Sequence, residues 1–278
     1  MTVLEVLQST TAYFKKREVE SPRLNAEHLL AHSLGKKRIE LYLEFERALT
    51  EAELSPLRDL VKRRGQGEPL QHLLGTVEFC GHSFLCDQRA LIPRPETEEL
   101  VGLLKSRVEN AKTKILDVGT GSGVIALSLA AAFPNAEVYA LDVSADALAL
   151  ARENADRLDL RDRVQFLESD LLLSVEHAYD VIVANLPYVP DGDRKTSSRE
   201  VLRDPERALF GGKVGDEVIR QLITAAPAHL QPNGLLALEI GIGQADALSA
   251  FLGEQKYNDI SARHDFAGVT RFLFARHG

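Results

Sequence analysis

Two short segments of this 278-residue chain gather residue types that can do chemistry. The first is Asp117-Val118-Gly119-Thr120-Gly121-Ser122-Gly123, where alternate positions after a carboxylate lack side chains, so that backbone N–H groups can come close to a ligand. Two further carboxylates follow, Asp142 and Asp170, the first about where a ribose-binding acid stands after a glycine turn. The second segment is Asn185-Leu186-Pro187-Tyr188, a side-chain amide, a backbone carbonyl stiffened by proline and a flat aromatic face in succession. Each has an ordinary alternative. Gly121-Ser122-Gly123-Val124-Ile125-Ala126 also fits the dinucleotide pattern G-x-G-x-x-A, which leaves a nicotinamide enzyme open. Asp142 and Asp170 suit turns and helix caps, and Asn, Pro and Tyr are common in loops that anchor on a core.

The elements that must position these segments can be read from apolar spacing. In the first part Val3, Leu7 and Phe14 fall on one helical face, Ser21-Pro22 suits a cap and first helical residue, and Gly35 a stop. Thr50-Glu51-Ala52-Glu53 fits a capping box, ahead of an apolar stripe of Leu54, Leu57, Leu60 and Val61. A helical bundle over 1–74 is expected, then a hairpin linker over 75–92 with strands at 76–79 and 83–86. Pro95 begins a helix whose Glu96, Glu98 and Glu99 complement the positive end of its dipole. Beyond it, apolar strands at 114–118, 137–141, 164–168, 180–184, 235–240 and 270–274 alternate with helices. This predicts an α/β region, 93–278, with a mostly parallel, doubly wound sheet covered on both faces. Such sheets bind ligands beyond the carboxyl ends of their strands, which is where both segments fall.

Composition narrows the classes. The chain is 45% hydrophobic and 27% charged, an ordinary balance for a packed protein. Its longest nearly apolar stretch, 124–133, is far short of the roughly 20 residues of a membrane-spanning helix, and Glu5 stands where a secretory leader would be basic. A cytoplasmic protein without a membrane partner is expected. Cys80 and Cys86 read as small apolar fillers and the paired His28 and His32 lack a third ligand, so no metal is expected. Basic and acidic residues balance in 1–90, so the net charge of -8 lies wholly in the remainder. An acidic α/β region disfavours a partner rich in phosphate, and no direct nucleic-acid binding is expected.

Asp117-x-Gly119-x-Gly121-x-Gly123 resembles the first motif of class I (Rossmann-like) methyltransferases, whose loop passes the methionine and ribose of S-adenosylmethionine. That resemblance implies a cofactor site of Asp117, Gly119, Thr120, Gly121, Ser122 and Gly123, with Asp142 on the ribose hydroxyls and Asp170 and Leu171 beside the adenine. Following such a loop, Asn185-Leu186-Pro187-Tyr188 takes on a chemical meaning. An amide or aromatic amine nitrogen has a delocalised lone pair and two hydrogens in its plane. The Asn185 side-chain oxygen and the Leu186 carbonyl can accept one hydrogen each, Pro187 can stiffen the loop, and Tyr188 can offer a face for the planar group.

The chain as a whole resembles the HemK/PrmC protein-glutamine methyltransferases, which modify the glutamine of the Gly-Gly-Gln tripeptide in peptide-chain release factors. The matching pieces are Ser21-Pro22-Arg23-Leu24-Asn25-Ala26-Glu27, Glu68-Pro69-Leu70-Gln71, Leu74-Gly75, Glu78-Phe79, Ile92-Pro93-Arg94-Pro95-Glu96-Thr97-Glu98, the glycine segment, Asp142-Val143-Ser144, Asn185 to Tyr188, Asp204-Pro205, Ala208-Leu209 and Leu238-Glu239-Ile240-Gly241. The resemblance implies a monomeric glutamine-N5 methyltransferase acting in translation termination, with 1–74 helping to dock the release factor and 93–278 carrying catalysis. It also implies that Asn185 touches the methionine part of the cofactor. Two positions depart from the family pattern: Leu186 replaces the first proline of Asn-Pro-Pro-Tyr, and Asp204 a glutamate. Asn-Leu-Pro-Tyr also resembles ribosomal-RNA adenine-N6 methyltransferases, but those do not resemble residues 1–98.

Overall fold

The computed structural model describes residues 1–108 and 112–278, which form two compact units. One unit comprises 1–76 and 198–203. It holds α1 (Val3–Lys16), α2 (Pro22–Ser33), α3 (Arg38–Leu43), α4 (Glu51–Gly65) and α5 (Leu70–Leu74). Thr2 and Thr50 both close capping boxes, with Glu5 and Glu53 reaching back to the cap N–H, so two helix starts are satisfied locally. Ser21 stands at the cap of α2 as expected, but with φ +45° and no side-chain cap bond. Pro22 starts that helix, while the Asn25 amide donates to the carbonyls of Glu20 and Ser21. Val3, Leu7, Phe14, Leu29, Leu30, Leu41 and Leu57 make its core. Arg64 is buried at its edge and donates to Asn25 Oδ1, the Glu68 carbonyl and Glu200 at 2.7, 2.9 and 2.7 Å.

The other unit comprises 77–197 and 204–278. At its start β1 (Thr76–Phe79) and β2 (His82–Leu85) make a hairpin, the second strand one residue earlier than expected. Cys80 and Gly81 both take positive φ, as a two-residue hairpin turn requires. The alternating elements then follow as α6 (Pro95–Lys105), β3 (Lys114–Val118), α7 (Val124–Ala132), β4 (Glu137–Asp142), α8 (Ala145–Arg157), β5 (Val164–Glu168) and β6 (Tyr179–Asn185). A short pair, β7 (Val189–Pro190) and β8 (Phe210–Gly212), encloses α9 (Glu206–Leu209). The chain ends with α10 (Glu217–Ala225), β9 (Leu230–Glu239), α11 (Ala245–Glu254), β10 (Tyr257–His264) and β11 (Thr270–His277).

Seven strands form one sheet in the order β10-β11-β9-β6-β3-β4-β5, with only β11 antiparallel to its neighbours. Alternation along each strand serves both faces. Ile115, Val181 and Val183 pack with α6 and α7, whereas Leu116, Ile182 and Ala184 pack with α10 and α11. From β3 the chain winds outward through β4 and β5, then returns to the other side of β3 as β6. The strand order therefore reverses between β3 and β6, and the crevice at their carboxyl ends is the place such sheets offer to a ligand. The edge strand β10 gives little apolar signal: Asn258, Asp259, Ala262, Arg263 and His264 are exposed, and its pairing is interrupted by bulges. Among the described residues no helix is long and apolar enough to cross a membrane.

Candidate active site

At the reversal point lies a cavity of about 370 Å³, within the size range of small-molecule sites. Its wall includes Gly119, Thr120, Gly121, Ser122, Asp142, Asp170, Leu171, Asn185, Leu186 and Pro187. The structure thus brings together ten of the residues singled out by sequence. Asp117, Gly123 and Tyr188 stand behind the wall.

Asp117 organises the glycine turn from below. It is fully buried, and its Oδ2 accepts the Thr120 hydroxyl at 2.6 Å and the Ala126 N–H at 3.1 Å, tying the turn to the first residues of α7. Its Oδ1 has no partner. Burial pushes the acid up to about 7 despite those two bonds, because no cation offsets the loss of water. The backbone at Gly119 favours glycine, and a side chain there would also displace Leu186. The Gly119 φ is +74°, and an added Cβ would lie 2.8 Å from Leu186 Cδ2. The side chain of Leu186 is buried and meets the glycine turn, and the residue lines the cavity.

Asp142 ends β4 with Oδ2 accepting the Gly121 N–H and Oδ1 the Ser144 N–H, both at 2.9 Å. Burial nonetheless raises it above the usual carboxylate range. Each oxygen keeps a lone pair for a further donor, the capacity needed to hold a vicinal diol. Asp170 is exposed at the cavity, and the backbone of Leu171 beside it is left-handed, φ +47°, a costly conformation for a branched side chain.

The acceptor segment leaves β6 at Asn185. Its Nδ2 donates to Thr97 Oγ1 at 3.0 Å, which leaves Oδ1 as an acceptor, and both residues line the cavity. Thr97 in turn donates to Glu239 Oε2 at 2.8 Å, and the Tyr188 hydroxyl reaches Glu239 Oε1 at 3.4 Å. The Tyr188 ring packs among the residues below the sheet and does not line the cavity, in contrast with the stacking face expected of it. Burial pushes its phenol up to about 12 and pushes Glu239, only 1% exposed, to about 7.

Sequence reasoning gave no site role to Thr97, which it read as part of a helix start, or to Glu239, which it read as a strand end. It also missed the braces behind the acceptor loop. Gln244 Nε2 donates to the Tyr188 carbonyl at 3.1 Å, and Gly211 sits so close to the carbonyls of Pro187 and Gly215 that a Cβ cannot fit. Asp204, which departs from the family glutamate, is buried and accepts the Ile92 N–H at 3.2 Å and Arg94 Nη2 at 2.6 Å. It thus pins the segment that carries Pro93 and Arg94 to the cavity wall. Thr97, Glu239 and Asp204 all lie in segments that carry the family resemblance, which was the available signal.

Comparison with known proteins agrees with this geometry. Residues 97–212 match the methyltransferase small domain family and residues 5–75 the PrmC N-terminal domain family. A methyltransferase from Pyrococcus furiosus shares the fold with a TM-score of 0.55 at 21% identity, over 70% of this chain and 88% of that one. The sheet order and the glycine turn at the reversal point define a class I methyltransferase. Release factor glutamine methyltransferases of Chlorobaculum tepidum and Deinococcus radiodurans are 39% and 40% identical, covering 98% and 99% of this chain and 96% and 99% of their own lengths. The chain belongs to the release factor glutamine methyltransferase family.

Proposed function

We propose that the protein transfers the methyl group of S-adenosylmethionine to N5 of the glutamine side chain in the Gly-Gly-Gln motif of a peptide-chain release factor, acting in the cytoplasm on a protein partner. The observation that carries this reading is the Asn185 amide, whose Nδ2 is spent on Thr97 so that its Oδ1 remains as an acceptor, at a position where Asn185 and Leu186 both line the cavity.

The residues at hand suit the cofactor. Asp142 has free lone pairs for the ribose hydroxyls, Asp170 and Leu171 border space for a flat base, and the side chains absent at Gly119 and Gly121 leave room for the sulfur-bearing tail. When bound, S-adenosylmethionine supplies an electrophilic methyl on a positively charged sulfur. The protein's own part is orientation. Asn185 Oδ1 and the Leu186 carbonyl accept the two in-plane hydrogens of the glutamine amide, which turns the nitrogen's out-of-plane lobe toward the methyl donor. The same two oxygens stabilise positive charge as it grows on nitrogen. Pro187, backed by Gly211, keeps the Leu186 carbonyl from turning away. No strong base is needed, because an N-methylated amide cation is acidic enough to lose its proton to water.

The test is incubation with isotopically labelled cofactor and, in parallel, a release factor and ribosomal RNA, followed by mass spectrometry of the products. One methyl on the tripeptide glutamine is expected. Label on adenine instead would overturn the reading.

A further inference from the structure

The oxygen and nitrogen ends of an asparagine amide are nearly the same size, so packing cannot choose between them; polar partners do. At Asn185 the choice decides activity. Oδ1 toward the acceptor nitrogen receives its hydrogen, whereas Nδ2 in that place would set two donors face to face. The partner of Asn185 is a threonine hydroxyl, which can accept or donate and so settles nothing by itself. The next group does. Thr97 Oγ1 stands 2.8 Å from Glu239 Oε2, and an ionised carboxylate can only accept.

We propose that Thr97 and Glu239 are positioning residues for the acceptor: ionised Glu239 takes the Thr97 proton in a hydrogen bond, which makes Thr97 an acceptor for Asn185 Nδ2 and holds Asn185 Oδ1 toward the nitrogen to be methylated. The other Glu239 oxygen receives the Tyr188 hydroxyl, so both ends of the carboxylate are faced by donors. If Glu239 gains a proton it becomes a donor itself. Thr97 is then free to donate to Asn185, and the amide can turn its Nδ2 into the cavity.

The groups around Glu239 place this change near neutrality. From α6 it is faced by Thr97 and Glu96, from the acceptor loop by Tyr188, and from β11 by Arg271. Burial raises the acid most, with Glu96 adding to it, while the Thr97 and Tyr188 hydroxyls and Arg271 pull it back to about 7. Arg271 is itself bonded to Asp265 at 2.9 Å, which limits its help to Glu239. A glutamine amide does not titrate in this range, so a limb in the turnover profile would report the enzyme.

The inference rests on the proposed reading only in requiring an acceptor nitrogen with two in-plane hydrogens. The experiment measures single-turnover methylation of a release factor with both substrates saturating, together with cofactor affinity by equilibrium titration, for the wild type and three variants. Wild-type turnover is expected to rise with pH through one deprotonation between about pH 6 and about pH 8. Glu239→Gln, which keeps the shape but cannot ionise, is expected to be several-fold slower at the upper end and flat across the range. Thr97→Val is expected to lose about 10- to 100-fold in turnover with cofactor affinity little changed, and Thr97→Ser, which keeps the hydroxyl, to recover most of that loss. An unchanged limb in Glu239→Gln, or a Thr97→Ser as slow as Thr97→Val, would overturn the proposal. Should Thr97→Val not fold, the Glu239→Gln profile decides alone. If the wild type methylates a different nitrogen, the glutamine reading fails, yet the same profiles on that acceptor still judge Thr97 and Glu239.

Discussion

In the helical unit Glu27 is closed in by Arg23, Arg38 and Tyr42, all within 2.9 Å, whereas Asp117 and Glu239 of the α/β unit bond only to hydroxyls and one backbone N–H. Burial pulls Glu27 up, but its three donors together outweigh that and hold it below the usual range; burial wins at Asp117 and Glu239, which rise to about 7. Glu53, bonded to the Thr50 N–H and to Arg47, is held at about 2. The contrast has opposite consequences for stability. A carboxylate held low adds stability that is present above its unfolded value near 4.5 and lost as pH falls; one held high leaves the fold most stable below its unfolded value, and that stability drains as pH rises toward about 7. Glu27 and Glu53 in the first unit add stability at neutral pH. The two in the second cost stability there and arrange the residues beside the cavity.

If that division is right, changes around Glu239 register in rate and changes in the helical unit in stability. Asn185→Ala is expected to have the largest effect, lowering single-turnover methylation on the order of 1,000-fold while cofactor affinity stays within a few-fold; unchanged turnover would remove Asn185 from the chemistry. Arg64→Met leaves Asn25 Oδ1 and the Glu68 carbonyl without their donor and should cost about 3 kcal/mol in denaturant unfolding, with turnover at saturating substrate little altered. A rate loss as large as the stability loss would break the comparison. Asp117→Asn keeps an acceptor for Thr120 and Ala126 but cannot ionise. Its melting temperature relative to wild type should therefore climb as pH is raised from about 5 to about 8, and a constant difference would mean that Asp117 does not titrate there.

What could be read in the sequence was what is local in it. The capping box at Thr50 needs four residues, the glycine turn seven, and the apolar runs of β3 and β5 have sharp ends, so their bounds were legible. Ser21 and Pro22 were legible as cap and first helical residue, but a serine before proline looks the same whether or not its hydroxyl turns back, and here it does not. The supports of the acceptor loop were not legible for a different reason. Thr97 meets Asn185 from 88 residues away and Glu239 from 142, and no local pattern says that a threonine on the first turn of a helix and a glutamate at a strand end will share a proton. Tyr188 shows the same limit: its position beside the cavity could be inferred, but the direction of its ring depends on Glu239 and on the residues under β9.

The membership of residues 198–203 in the helical unit bears on how the protein is made. Synthesis delivers Arg64 well over a hundred residues before its carboxylate partner Glu200, so the helices leave the ribosome before the anion that Arg64 bonds to has been made. A fragment ending at residue 76 never acquires it. The first unit is finished by a strip borrowed from late in the polypeptide, and any attempt to swap or excise it by cutting the chain once will leave that strip behind.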